Sequence, residues 1–357
     1  MTIELKAGPD DGGRRLDRVL RKALPEYSLS LIHRLLRQGK ALVDGKPAGP
    51  DKRIQPGNVI RVVIREERLS PQESHTEAQR TRSSRRNSNF EFPLCPPCTP
   101  CLCEMKSDTI PTILWRGAGI IVFNKPPGLA THGKDSLDTL VKTWLDGKLP
   151  TSLSFKPGPL HRLDKPTSGA IAFSETIEGA RLFSRLLRER KTAKTYLAIV
   201  EGRITGDEIW QDELIHDTTA KKTFTGGAAG SKNALTAVKA LASNGSFTLI
   251  EARMVTGRTH QIRAQAASHG HPLAGDVKYG GHGFSGGFYL HAWKMDMGGH
   301  LEGFPQPLVA PLPESFRSHI SALFGANPLK PIIEEETHTG DTGDTEDTKE
   351  LKILYPP

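Results

Sequence analysis

Apolar residues recur with two different spacings in the first part of the chain, and together they predict a small module of two helices and a β-hairpin. From Arg15 onward they lie three or four positions apart, which predicts a helix that Pro25 ends. The same spacing predicts a second helix over 28–38, with a serine cap at its start. An Asp-Gly turn at 44–45 and a strand over 59–64 complete the pattern.

The apolar pattern of residues 113–325 predicts a larger domain in which strands outnumber helices. An amphipathic helix is expected over 177–190, and a second helix over 259–269. The predicted strands are 120–124, 170–174, 195–201, 209–215, 234–241 and 247–255. Because strands and helices do not alternate regularly, we predict an α+β fold with a mixed, largely antiparallel sheet rather than a doubly wound one.

Two further segments lack any such periodicity. The predicted organisation is a module at 12–66, a flexible linker at 67–112, the larger domain at 113–325 and a disordered tail at 326–357. The tail is strongly acidic, because residues 334–350 contain eight acidic residues and one lysine. The module has the opposite character, with 13 Lys or Arg against 5 Asp or Glu.

The linker contains all four cysteines of the chain, within residues 95–103. Thiolates this close suggest zinc or an iron–sulfur cluster. The final gap of a single residue and the intervening prolines fit poorly with the usual paired CxxC knuckles. Exposed thiols in a flexible segment are the favoured interpretation.

Composition narrows the class of protein. The chain has 357 residues and a net charge of +8, which suggests a polyanionic partner. No apolar run reaches the length of about 18 residues that a membrane span needs. The first six residues lack the apolar core of a signal peptide, so a cytoplasmic location is expected.

The segment His161–Gly169, which reads HRLDKPTSG, is the strongest chemical signal. Asp164 lies between cations in a turn-rich stretch that a buried strand follows directly. A carboxylate at such a junction can be held rigidly and kept ionised, as a nucleophile or general base requires. Taken alone, Asp164 is more simply a turn cap paired with Arg162 or Lys165.

Three other segments favour the catalytic interpretation of Asp164 over the turn cap. Together with HRLDKPTSG, they resemble the motifs of the RluA-type pseudouridine synthases and occur in the same order. They read IVFNKPPGL over 121–129, KTYLA over 194–198 and TGRTHQIR over 256–263, followed by HPLAGDVKYG over 271–280. The resemblance covers residues 118–323 and implies a catalytic domain with a mixed sheet and a central cleft.

The resemblance also implies a reaction and three catalytic residues. These enzymes isomerise uridine in RNA without a cofactor, and no metal site is expected in this domain. Asp164 corresponds to the catalytic carboxylate, either as nucleophile or as the base that removes a sugar proton. Tyr196 corresponds to the active-site tyrosine, and Arg263 to the basic residue that pairs with the aspartate. Without the resemblance, Tyr196 is more simply a core aromatic and Arg263 a solvated helix residue.

Further residues are candidates for contacts with the substrate. Arg162 and Arg258 are expected to hold RNA phosphates or to help extrude the nucleotide from its stack. Lys125 is expected to line the cleft, and a simple surface charge is the alternative. The segment 12–66 resembles the RNA-binding module named after ribosomal protein S-four. Phosphate contacts are predicted on this module for Arg34, Arg37 and Lys40.

The sequence thus predicts a monomeric RNA pseudouridine synthase that acts on large-subunit ribosomal RNA. The choice of ribosomal RNA over transfer RNA rests on family analogy. One alternative is a non-catalytic RNA-binding or ribosome-assembly factor, against which Asp164, Tyr196 and Arg263 argue together. A glycoside hydrolase would usually need two acting carboxylates, and no second one stands in a matching motif.

Overall fold

The computed structural model describes residues 1–64 and 110–334, except 228, 284–286, 329 and 333. Almost all of the predicted linker, with its cysteines, and most of the acidic tail lie outside the described residues. Contacts divide the chain into two compact units. One comprises Met1–Thr109 with Pro150–Ser154, and the other comprises Ile110–Leu149 with Phe155–Pro357. No helix among the described residues is long and apolar enough to cross a membrane.

The first unit contains two helices and a four-stranded sheet of order β1-β4-β2-β3. Its elements are β1 (Thr2–Lys6), α1 (Leu16–Ala23), α2 (Leu29–Arg37), β2 (Ala41–Val43), β3 (Lys46–Pro47) and β4 (Val59–Val63), with a 3₁₀ turn at Pro9–Asp11. The two predicted helices, the hairpin and the last strand are confirmed. Strand β1 was not predicted, and it extends the sheet by pairing antiparallel with β4.

Helical spacing of apolar residues builds the core of this unit. On α2, Ile32, Leu35 and Leu36 are buried together with the apolar face of α1. The Ser28 hydroxyl caps α2 by accepting a hydrogen bond from the Leu31 amide at 3.3 Å. The opposite face of α2 carries basic side chains that are exposed, Arg34 and Arg37.

The second unit is built on an 11-stranded sheet whose main path runs β11-β10-β12-β13-β9-β14-β8-β6-β5, with β7 paired to β8 and β15 to β14. Its strands are β5 (Ile113–Gly117), β6 (Ile120–Lys125), β7 (Gly158–Pro159), β8 (Ser168–Ser174), β9 (Ala193–Glu201), β10 (Asp207–Asp217), β11 (Lys222–Thr225), β12 (Lys232–Ser243), β13 (Phe247–Met254), β14 (Leu290–Asp296) and β15 (Leu308–Val309). Its helices are α3 (Leu137–Leu145), α4 (Ile177–Arg188), α5 (Gln261–Ser268) and α6 (Glu314–Phe324), with a 3₁₀ turn at Val277–Tyr279.

The predicted α+β class and the dominance of antiparallel pairing are confirmed. The six predicted strands and two predicted helices all occur, with ends displaced by one or two residues. The central strand β14 was not predicted. It contains His291 and Lys294, so its sequence lacks the continuous apolar run that marks a buried strand.

Three neighbouring strands at the centre of the sheet determine where the motif residues lie. Strand β14 runs parallel to β8 and antiparallel to β9. In this register Ala292 is the partner both of Gly169 and of Tyr196. The loop that carries Asp164 leads directly into β8, so the sheet brings that loop alongside Tyr196.

Gly169 is required where β8 meets β14. Its φ of +108° is in the region that only glycine adopts readily, and a Cβ there would collide with the backbone of Ala292. Both constraints act at the strand pair that supports the Asp164 loop.

His291 is a buried neutral residue behind the same loop. Its Nε2 lies 2.9 Å from the carbonyl oxygen of Ala310, which can only accept, so Nε2 carries the proton. Nδ1 then accepts a hydrogen bond from the Ser168 hydroxyl at 2.9 Å. Burial lowers the pKa of His291 to about 4.

Gly169→Ala should destabilise the second unit by about 2–4 kcal/mol, since it combines an unfavourable φ with a backbone collision. Thermal or denaturant unfolding of the full chain measures this loss. Gly257→Ala is the matched control, because nothing lies within 4 Å of the added Cβ. Equal stability of the two variants would contradict the assignment.

His291 should make the second unit sensitive to acid. The unfolded chain takes up a proton near pH 6.5 and the folded chain only near 4, so the contribution of the neutral ring is present above 6.5 and lost as the pH falls toward 4. This part of the unfolding free energy amounts to about 3 kcal/mol. His291→Gln should be less stable at pH 7 but should lack this part of the fall, as urea titrations at several pH values would measure. Parallel pH profiles for the two proteins would refute it.

Candidate active site

The loop that carries Asp164 is held by its backbone. The buried hydroxyl of Thr131 donates to the carbonyl of Leu163 at 2.8 Å and accepts from the Leu163 amide at 3.2 Å. The Thr167 amide donates to the carbonyl of Asp164 at 3.0 Å. Because the anchoring bonds use backbone groups, the Asp164 carboxylate remains available, with its side chain 16% exposed.

A buried arginine orients that carboxylate. Arg263, on the first turn of α5, donates from Nη1 to Asp164 Oδ2 at 2.8 Å. Its other edge holds Asp276 in a bidentate pair, with Nε–Oδ2 2.6 Å and Nη2–Oδ1 2.8 Å. Asp276 is 1% exposed. A planar guanidinium is the only side chain that can satisfy both carboxylates at once.

Aromatic rings enclose the guanidinium group of Arg263. Its Cζ lies 4.8 Å from the ring centre of Tyr279 and 4.4 Å from that of Phe288. Burial acts to lower the pKa of Arg263, but the bonds and charges of the two aspartates outweigh it, and the pKa is raised. The arginine is therefore a fixed positive charge on a rigid support.

His260 is the second neighbour of the same carboxylate oxygen. Its Nε2 lies 3.5 Å from Asp164 Oδ2, and its Nδ1 lies 2.8 Å from the hydroxyl of Tyr279. The backbone of His260 is in the left-handed region, with φ 53°. Burial lowers the pKa of His260, and the charge of Asp164 only partly opposes this. The ring is thus kept neutral near pH 7.

One oxygen of Asp164 is left for chemistry. Among the described residues, the contacts to its carboxylate from Arg263 and His260 both end on Oδ2. Oδ1 can therefore approach a reacting atom while Oδ2 stays anchored. This geometry suits a nucleophile or a general base.

A cavity of 380 Å³ opens beside this carboxylate. Tyr196, 6% exposed, forms part of its wall. Burial, and then the charge of Asp164, raise the pKa of Tyr196, so the phenol is neutral. A flat aromatic surface next to an anchored carboxylate can hold a planar ring.

The structure brings five of the nine predicted site residues together. This pocket is lined by Asp164, Tyr196, Arg263, Arg162 and Arg258. Arg162 and Arg258 are exposed. Arg258 Nε donates to the carbonyl of Asn233 at 3.1 Å, which directs its guanidinium along the rim.

Lys125 does not line the pocket, and the expectation that it faces RNA is corrected. Its side chain is fully buried. Its ammonium donates to three backbone carbonyls, those of Leu129 at 2.8 Å, Pro126 at 2.9 Å and Lys165 at 3.2 Å. Burial lowers the pKa of Lys125 to about 7, while the charge of Asp164 opposes the shift. Lys125 therefore joins the 126–129 turn to the Asp164 loop and positions the carboxylate from behind.

The remaining three predicted residues belong to the first unit. Arg34 and Arg37 are exposed on α2, and Lys40 follows the helix and is partly buried. Arg37 Nε donates to the carbonyl of His33 at 3.3 Å. The salt bridges found within the described residues involve none of these three cations, so their charges are not neutralised there.

Sequence reasoning missed several residues that complete the site. Asp276 and Tyr279 lie in the motif HPLAGDVKYG, but no role was predicted for them. The acid next to a glycine and the nearby tyrosine could have indicated a site. Thr131 and Phe288 had no such signal, because only the fold brings them to the Asp164 loop and to the guanidinium of Arg263. Lys194 begins the motif KTYLA and lines the pocket, but no role was predicted for it. The part of the chain that the structure describes contains no group of three or more His, Cys, Asp or Glu placed to hold a metal.

Comparison with known families agrees with this arrangement. Residues 119–268 match the RNA pseudouridylate synthase family, and residues 14–60 match the S4 domain. The first range contains Asp164, Tyr196 and Arg263. The second contains Arg34, Arg37 and Lys40.

Curated relatives carry names of the same kind. Ribosomal large subunit pseudouridine synthase D of Neisseria meningitidis is 32% identical over 272 residues, or 75% of this chain, but the match spans only 64% of that relative. The synthase D of Nitrosomonas europaea is 28% identical over 334 residues, or 90% of this chain and 88% of the relative. Synthase C of Escherichia coli is 29% identical, with 76% of this chain and 77% of the relative covered.

A solved structure shares the fold. The structure titled human RNA pseudouridylate synthase domain containing 1 superposes with a TM-score of 0.50 and 22% identity, over 68% of this chain and 100% of that one. The motifs, the matched ranges and the fold agree with one another. The chain therefore belongs to the RNA pseudouridylate synthase family, in its RluA-type group, and carries an S4 domain ahead of the synthase domain.

Proposed function

We propose that the protein isomerises uridine to pseudouridine in RNA, with Asp164 as its catalytic carboxylate. The reaction breaks the bond from ribose C1′ to uracil N1 and forms one from C1′ to C5, while C5 loses a proton and N1 gains one. The observation that carries the proposal is the carboxylate of Asp164, which is anchored through Oδ2 and lines the same pocket as Tyr196. Asp164 acts on the sugar, either by attack at C1′ or by removal of a neighbouring proton.

The surrounding residues support this carboxylate in different ways. Arg263 fixes its rotamer and favours its ionised form. Neutral His260 adds a contact without a second positive charge. The low exposure of these groups keeps water from the reacting carbon.

Tyr196 holds the detached uracil ring in place. Because the raised pKa keeps the phenol protonated, Tyr196 does not act alone as the base at C5. Stacking is the role that its position supports. For Tyr196 to accept the proton from C5, another group would first have to take the proton of its phenol.

The substrate we propose is large-subunit ribosomal RNA, because the names of several relatives specify it and an S4 domain accompanies the synthase domain. Arg162 and Arg258 at the pocket rim, and Arg34, Arg37 and Lys40 on the S4 domain, bind phosphates. Such contacts position RNA but do not select the uridine. The enzyme acts as a monomer in the cytoplasm.

Asp164→Asn should abolish isomerisation and leave RNA binding nearly intact. Loss of the reactive carboxylate costs at least about a thousandfold in rate. The measurement is pseudouridine mapping on an unmodified transcript of large-subunit ribosomal RNA, with filter binding of the same transcript in parallel. Asp207→Asn, an exposed acid in the same unit, is the control. An active Asp164→Asn protein would refute the role of Asp164, and inactive wild type on both ribosomal and transfer RNA would refute the function.

Asp276→Asn should lower kcat by about 10–100-fold with little change in KM, because Asp276 acts through Arg263 and not on the substrate. Arg263→Lys should be at least as impaired, since an ammonium cannot replace the fork that joins two carboxylates. Single-turnover kinetics on the same transcript measure both. If Arg263→Lys retained full activity, charge alone would suffice and the geometric role would be wrong.

A further inference from the structure

Lys194 lines the same pocket and has no role in the reaction described above. It lies on β9 two residues before Tyr196, so both side chains project from the same face of the strand. Its side chain is partly buried. The pocket thus contains a lysine whose Cα lies about 7 Å along the strand from that of Tyr196.

Among the described residues, the two buried Lys or Arg side chains of this unit have their partners within the fold. Arg263 holds two aspartates, and Lys125 donates to three carbonyls. For Lys194, the described residues supply no carboxylate within salt-bridge distance and no hydrogen-bond acceptor. Its ammonium lies over the ring of Phe183, with 5.8 Å between Nζ and the ring centre. Burial alone lowers the pKa of Lys194 to about 8.

Partial burial removes some of the water around this ammonium, and the described residues supply no anion in its place. Desolvation of a cation is unfavourable unless an anion or acceptors compensate for it. A methionine of similar length would fill the same space without that cost. The charge is therefore explained by a ligand that brings the missing anion.

The position of Lys194 indicates which part of the substrate it meets. Lys194 forms no salt bridge with Asp164 among the described residues, and its Nζ lies 5.8 Å from the ring centre of Phe183. The neighbouring pocket residues Arg162 and Arg190 are exposed at the mouth. A group bound there belongs to the strand that enters the pocket and not to the reacting atoms.

We propose that Lys194 binds a phosphodiester oxygen of the RNA strand beside the target uridine and so fixes that nucleotide over Tyr196. The inference rests on the proposed function, since it assumes that the uridine occupies this pocket. The ammonium donates its hydrogen bonds to the phosphate and takes no part in bond breaking. Lys194 is thus a substrate-binding residue, and its effect should appear in affinity.

The test compares Lys194→Gln, Lys194→Arg and Lys194→Met in the full chain. Lys194→Gln should raise KM on an unmodified large-subunit ribosomal RNA transcript about tenfold, with kcat at saturation unchanged. The slope of log Kd against log salt should fall by about 0.7–0.9, the value for one phosphate contact. Lys194→Arg should restore both. Lys239→Gln removes the same charge from an exposed site outside the pocket and serves as the control.

Binding is measured in an Asp164→Asn background, so that the result does not depend on turnover. A lower kcat with an unchanged salt slope would mean that Lys194 meets the uracil ring and would overturn the proposal. Unchanged KM, kcat and slope would also overturn it. Failure of the proposed function looks different, because wild type itself would then form no pseudouridine.

The pH dependence gives an independent result. The ammonium is present below pH 8 and lost above it, so kcat/KM of wild type should fall above pH 8 while Lys194→Arg keeps its value. The other groups that face Lys194 do not titrate there. The pKa of His161 is well below 6.5, and that of Tyr196 is raised. Arg162 and Arg190 are the other charged side chains named at the mouth of the pocket. An identical fall in both proteins would contradict the assignment.

Stability separates a ligand-binding lysine from a structural one. Lys194→Met should melt at the same temperature as wild type or higher, because it removes an uncompensated cation. The same variant should bind RNA about tenfold more weakly. A destabilised Lys194→Met with normal RNA affinity would show that the lysine supports the fold instead.

Discussion

The site depends on the division of one guanidinium between two carboxylates. Asp276 occupies two nitrogens of Arg263 and is buried, so it neutralises the arginine and locks its orientation. Asp164 receives only the third nitrogen, through a single bond to Oδ2. A bidentate pair to Asp164 would have engaged both of its oxygens and made it a weaker base and nucleophile. The shared arrangement fixes the carboxylate and leaves its second oxygen available for reaction, whereas removal of Arg263 would leave two carboxylates without their cation.

That arrangement requires the fold to bring three distant segments together. Asp164 precedes β8, Arg263 begins α5, and Asp276 lies before the 3₁₀ turn at Val277–Tyr279. The parallel pairing of β8 with β14 places the Asp164 loop beside β9, at a strand pair too tight for any side chain at position 169. Buried His291 on β14 accepts a hydrogen bond from Ser168 of β8 and donates one to the carbonyl of Ala310, so it links β8 to the segment behind the site. The strand pairing at the centre of the sheet therefore determines where the carboxylate of Asp164 lies.

Sequence reasoning recovered the elements that have clear periodicity and the residues that stand in motifs. It identified Asp164, Tyr196 and Arg263 as a set, and the structure brings them to one pocket. It failed for β14, where His291 and Lys294 interrupt the apolar run. It also failed for Lys125, which was expected to line the cleft or to be a surface charge but is fully buried. Its three carbonyl partners come from residues 126, 129 and 165, and no local pattern indicates that they converge.

Lys125 and Lys194 show that burial alone does not define the role of a lysine. Each has a pKa lowered by burial, to about 7 and about 8. Lys125 has one carbonyl for each of its three ammonium protons, so its interactions are complete in the free protein and its role is to join two loops. Lys194 is only partly buried, and among the described residues its ammonium has an aromatic ring nearby but no acceptor, which is why we propose a ligand from outside the chain. What distinguishes a structural cation from a binding cation in this domain is the number of acceptors that the fold itself supplies.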